Sequence, residues 1–193
     1  MNVHNSEGVQ YTEPQIKITG LEAIKSSTPT ACRDKIKEAL HIIMTGTENQ
    51  LHTMIENFRD EFKKMPVEDI AFPRSMNGLH EYTDNKHIWG KGTPIHVRGA
   101  LLYNHYVKRK GLEKKYQAIR DGDKIKFVYM KMPNPIQEDV IAFVQHLPQE
   151  LGLHEYIDYD KQFQKVFLDA LQIIIGSLGW KTEKESSLEE FFG

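Results

Sequence analysis

Cysteine is almost missing from the sequence: Cys32 stands alone among 193 residues. One thiol closes no internal disulfide, and without a Cys pair no cysteine-based zinc site forms. This usage points to a reducing compartment, the cytoplasm. No apolar run approaches the roughly 18 residues that span a bilayer, and the first 25 residues lack the basic, apolar, small-residue order of a secretory signal. The expectation is a soluble chain with no membrane partner. Enzyme signatures are absent too: there is no Gly-rich phosphate loop with its lysine, no nucleophile elbow and no His-Glu-x-x-His. Net charge is only −2, with 39% hydrophobic and 27% charged residues, which excludes the high-charge, low-apolar profile of a disordered chain. The length suits one domain, or one domain with a small appendage.

The small net charge hides a strong asymmetry. From Lys86 to Lys131 there are twelve basic and three acidic residues, so that stretch carries +9. Residues 1–85 carry −4 and residues 132–193 carry −7. A basic middle between acidic ends attracts phosphate whatever the total charge is, although a solvated lysine face would look the same.

Local patterning predicts an α+β, mainly helical protein. Asn5-Ser6-Glu7-Gly8 reads as a turn, and alternation around Ile16 and Ile18 reads as strand, giving β structure in residues 1–25. Ser26-Ser27-Thr28-Pro29 reads as a helix start with Thr28 as N-cap, followed by a stripe of Ile36, Leu40, Ile43 and Met44 that stops at Gly46. Thr47 caps a second helix with Leu51, Met54, Ile55, Phe58, Phe62 and Met65 on one face, ended by Pro66. The short link predicts an antiparallel helix pair. Residues 67–99 read as loop, with a helix from Ala100 to Arg109, strands at 124–130 and 140–144, and a helix from Tyr159 to Leu178.

Candidate chemistry is sparse. Nine histidines lie mostly far apart, without ligand-like spacing to carboxylates, so no metal site is expected. Asp158 and Asp160 could share a divalent ion, but a polar helix start explains them more simply. Lys91-Gly92-Thr93-Pro94-Ile95-His96-Val97-Arg98-Gly99 is more specific: small residues allow close backbone approach, and on an extended run His96 and Arg98 point the same way toward adjacent phosphates. An ordinary turn followed by a strand is the competing reading. At the C-terminus Leu188, Phe191 and Phe192 fall at i, i+3 and i+4, so one helical turn presents all three on one face. Burying each is worth roughly 1.5–3 kcal/mol. They either fold back on the core or, held away by the polar spacer 181–186, insert into a partner's pocket.

Three stretches together resemble the C-terminal part of family B replicative DNA polymerases, those of T-even-type bacteriophages in particular. Glu13-Pro14-Gln15-Ile16-Lys17-Ile18-Thr19-Gly20-Leu21-Glu22, running into Lys25-Ser26-Ser27-Thr28-Pro29, is similar to the end of the palm and its passage into the thumb. Pro94 to Gly99 resembles the thumb segment beside the duplex. Ser187-Leu188-Glu189-Glu190-Phe191-Phe192-Gly193 is similar to the peptide by which these polymerases hold the sliding clamp.

The resemblance implies residues 1–28 as palm end, 29–186 as a thumb subdomain with a small β portion, and 187–193 as a clamp-binding tail. It implies Lys91, His96, Arg98, Lys108, Lys131 and Lys165 as phosphate contacts on double-stranded primer-template DNA. The family's metal-binding aspartates lie in a Tyr-x-Asp-Thr-Asp motif that this sequence lacks, so the resemblance implies no catalytic or metal residue and no cofactor in this chain. The divalent metal, magnesium, would sit in a separate N-terminal exonuclease and palm chain. The expected arrangement is therefore a split polymerase working in a host cytoplasm. The alternative is a stand-alone accessory protein that binds DNA and clamp.

Overall fold

The computed structural model describes residues 28–84 and 86–184; the expected palm segment before Thr28 and the tail 187–193 lie outside the described residues. Helix α1 spans Thr30–Thr45 and α2 spans Glu48–Lys63. The first begins one residue later than the hydroxyl pattern predicts: Pro29, not Thr28, occupies the cap position, and the Pro29 carbonyl accepts from the amides of Cys32 and Arg33. The second starts as predicted. Thr47 accepts from the Gln50 amide while the Gln50 side chain accepts from the Thr47 amide, a reciprocal capping box. The helices run antiparallel, with Lys35 near the start of α1 paired to Glu61 near the end of α2 at 3.6 Å.

The expected core stripe of α1 needs one correction. Ile36 and Leu40 are buried, joined by Cys32 and Ala39, but Met44 is 64% exposed. The seam follows the 32, 36, 39, 40 spacing of a straight helix, and position 44 rotates out of it at the last turn.

A loop-rich 67–99 is also corrected. It holds α3 (Val67–Ile70), β1 (Phe72–Ser75) and a 3-10 turn at Leu79–Tyr82. Strand β1 contains Pro73, which a central strand would not tolerate; β1 lies at the sheet edge, where the missing donor costs nothing. Its antiparallel partner is β2 (Lys124–Tyr129), which pairs in turn with β3 (Val140–Phe143), and the order is β1-β2-β3. The turn before β2 is fixed by Gly122 at φ +92° and by paired bonds between Met76 and residues 122 and 123, each 2.8 Å.

Helix α4 spans Ile95–Arg109 and lies on β3. The extended reading of residues 95–99 is thus overturned. Pro94, with its fixed φ, sits at the cap position, and Gly99 permits close packing: a Cβ there would stand 3.0 Å from the Ala142 amide nitrogen.

The closing helical run is α5 (Tyr159–Phe163), a π turn (Gln164–Leu168) and α6 (Asp169–Ile175), followed by a 3-10 turn to Leu178, in place of one regular helix. Phe163 and Phe167 from this run meet Phe58 and Phe62 of α2, with ring centres 4.9 to 5.6 Å apart. Four buried rings at roughly 1.5–3 kcal/mol each make this an apolar anchor between α2 and the closing helical run. The sequence-level assignment of an α+β, mainly helical fold holds.

Beyond Leu178 the chain turns back along α2. Glu48 accepts from the Lys181 amide at 3.0 Å, His52 Nε2 donates to the Lys181 carbonyl at 2.7 Å, and Arg59 reaches Glu183 at 3.5 Å. The spacer read as holding the tail away is, at residues 181–183, strapped to the helix. Two of the three contacts are made by the Lys181 backbone, which side-chain polarity does not reveal.

Candidate nucleic-acid interface

Twelve basic side chains between residues 86 and 131 supply the material for a phosphate-binding surface. The fold uses four of them internally. Arg98 donates to Asp139 at 2.6 Å, Lys126 to the Glu68 carbonyl at 2.8 Å, Lys110 to the Glu150 carbonyl at 3.0 Å, and Lys115 to the Glu150 carboxylate. The other eight, Lys91, Lys108 and Lys131 among them, are exposed and make no ion pair or side-chain hydrogen bond among the described residues. Unpaired ammonium and guanidinium groups are what a phosphate backbone recruits, because each neutralised phosphate releases counterions.

The basic linker after α4 is held in place. Asn104 pairs with Ile119 like a piece of strand, its amide donating to the Ile119 carbonyl (2.9 Å) and its oxygen accepting from the Ile119 amide (2.7 Å). Glu150 gathers Lys115 and the Tyr116 hydroxyl. Those hydrogen bonds, from Lys115 first and then from its own backbone amide and Tyr116, pull the Glu150 pKa down to about 2. The loop therefore presents its remaining lysines from a fixed backbone.

His96 and Arg98 both lie in the first turn of α4 and are not adjacent teeth of a strand. Two residues on a helix are about 200° apart, so the side chains leave α4 in different directions. His96 lies half-buried with its ring 6.4 Å from that of Phe127. Burial, and then the Arg74 guanidinium, hold its pKa below the ordinary imidazole value, so it is neutral at pH 7 and donates hydrogen bonds without adding charge. Arg98 is clasped: its guanidinium sits 5.0 Å from the Trp89 ring centre while Trp89 Nε1 donates to Glu138 at 3.0 Å. Lys91 stands in the turn ahead of α4, beside Gly92 at φ +84°. Lys108 lies in the last turn of α4, about 18 Å from His96 at 1.5 Å per residue. Lys131 follows β2, and Lys165 belongs to the π turn, 3.8 Å from Asp169.

Arg74 was not singled out from the sequence. It is exposed on β1, and in register it faces Ile125, on the same side of the sheet as Phe72 and Phe127. The available signal was the two-residue alternation of Phe72 and Arg74, obscured by Pro73. Asp158 and Asp160 do not form a metal pair: Asp158 accepts from the Lys161 amide at 3.0 Å as the cap of α5, and Asp160 lies 3.4 Å from Lys63. Among the described residues no three His, Cys, Asp or Glu side chains converge.

Across its whole length the chain is 30% identical to the DNA-directed DNA polymerase of Enterobacteria phage T4 and 31% identical to that of Escherichia phage RB69. It is similar to part of a phage DNA polymerase. The chain spans 21% of the length of either relative, and the resemblance to a C-terminal polymerase portion drawn from the motifs stands on this similarity. No family model matches the chain. No helix among the described residues is long and apolar enough to cross a membrane.

Proposed function

We propose that this chain is the duplex-holding, C-terminal part of a replicative DNA polymerase, with catalysis supplied by a separate exonuclease and palm chain. The observation that carries the reading is whole-chain similarity to two polymerases, joined to a basic stretch in which eight of twelve cations are exposed and make no ion pair among the described residues. Residues 29–186 act as a thumb. Lys91, His96, Lys108 and Lys131 contact phosphates irrespective of sequence, as an enzyme that travels along any template requires. Arg98 joins them while also bracing the start of α4, and Lys165 contributes from the last helical run. Residues 1–28 complete the partner chain's palm. The tail 187–193 holds a sliding clamp through Leu188, Phe191 and Phe192.

Primer extension tests this directly. The purified chain alone should give no synthesis, and adding a polypeptide with the exonuclease and palm portions of a matching polymerase should restore it. No synthesis in the mixture, with salt-sensitive duplex binding retained by the chain, would favour an accessory protein that binds DNA and clamp.

A further inference from the structure

We propose that Arg74 of β1, with His96 of α4 beside it, forms a seat for a backbone phosphate of duplex DNA. This rests on the duplex-holding reading above and adds a residue from the strand concealed by Pro73.

Arg74 is exposed and has no carboxylate partner among the described residues, whereas Arg59 and Arg98 each have one. Its position is fixed on both sides. Phe72, two residues earlier on the same sheet face, stacks on Phe127 with ring centres 5.0 Å apart, and Met76, two residues later, is locked to the 122–123 turn by two bonds of 2.8 Å. The aromatic pair lies on the same sheet face as Arg74 and forms an apolar floor beside it.

His96 overlooks the same floor from the first turn of α4, and the Arg74 charge is felt at both its imidazole and the Tyr129 hydroxyl. Asp139, whose charge also reaches Tyr129, is held by Arg98 and so does not quench Arg74. One permanent cation and one neutral imidazole thus lie on the same face of the sheet, neither paired with a carboxylate among the described residues. A phosphodiester is favoured as the ligand, since Lys124, opposite Ser75 on β2, is exposed with no ion pair and adds a second cation at this edge of the sheet. Guanidinium geometry allows two parallel hydrogen bonds to the non-bridging oxygens.

The test is duplex binding by the full chain across a salt series. For Arg74→Ala the expected result is about a tenfold loss of affinity at physiological salt, and a fall of about 0.9 in the slope of log K against log salt, the signature of one lost phosphate contact. Arg74→Lys should keep the slope, and an unchanged urea midpoint in both variants would show that the fold is intact. His96→Ala should weaken binding with the slope preserved, because a neutral donor displaces no counterion. Duplex should also protect Arg74 from phenylglyoxal where equimolar inorganic phosphate does not. An unchanged slope in Arg74→Ala, or equal protection by inorganic phosphate, would overturn the seat while leaving the duplex-holding reading standing. Failure of the unmodified chain to bind duplex would overturn that reading first and the seat with it.

Discussion

Two arginines on neighbouring elements show how one residue type divides its work. Arg98 is only 20% exposed at its side chain, held by Asp139 and stacked on Trp89, so much of its charge is spent inside the molecule. Replacing it with alanine should cost roughly 1–2 kcal/mol of stability, the sum of a modest ion pair and a cation–π contact. Urea denaturation reads that loss, and duplex affinity should fall by a similar factor for any DNA sequence; a sequence-selective change would contradict a phosphate role. Arg74 behaves oppositely, with affinity lost and stability kept. The sequence made His96 and Arg98 visible because they sit in a segment with a recognisable Pro-x-x-x-Arg-Gly pattern. Arg74 stayed hidden because its placement depends on strand pairing across about 50 residues of chain, which no local pattern encodes.

At the level of elements, packing between α4 and β3 decides where the candidate interface lies. Gly99 touches Ile141 and Ala142 so closely that a methyl group would meet the Ala142 amide nitrogen at 3.0 Å and its Cβ at 3.2 Å. Gly99→Ala should destabilise by about 1–3 kcal/mol through overpacking. Because His96 and Arg98 ride on the same turn, duplex affinity should fall too, measured by titration at a temperature where the variant stays folded.

Glu150 supplies a pH test. Its folded pKa lies near 2, below the ordinary value of 4.5, so the stabilisation it provides is present above that ordinary value and fades as pH falls toward 2. The difference in urea midpoint between the natural chain and Glu150→Gln should be present at pH 7 and vanish near pH 2. Helix α2 was readable to its cap because a capping box and a six-residue stripe agree. Helix α4 was half readable: Gly99 and Pro94 look like breakers in one dimension, yet one permits contact with β3 and the other starts the helix. Regular spacing likewise concealed the π turn, since an added backbone residue leaves the apolar positions Phe163, Phe167 and Leu171 in place.

The whole molecule separates three tasks along one chain. Basic surface lies in the middle, an aromatic core joins the early and late helices, and the proposed clamp peptide comes last. If those tasks are separable, Phe191→Ala with Phe192→Ala should abolish clamp-dependent processivity in the reassembled polymerase and leave distributive synthesis intact. Equal loss of both would make the tail part of the fold. The strap of residues 181–183 on α2 bears on this in a way that charge and apolarity do not. From Lys184 the chain has four steps to Leu188, at most about 14 Å at full extension. A partner held by the proposed peptide would therefore be on a short leash that leaves α2 beyond the Arg59–Glu183 contact. The leash fixes where such a partner would sit, close beside α2, while how long it stays is set by how tightly the three apolar side chains bind.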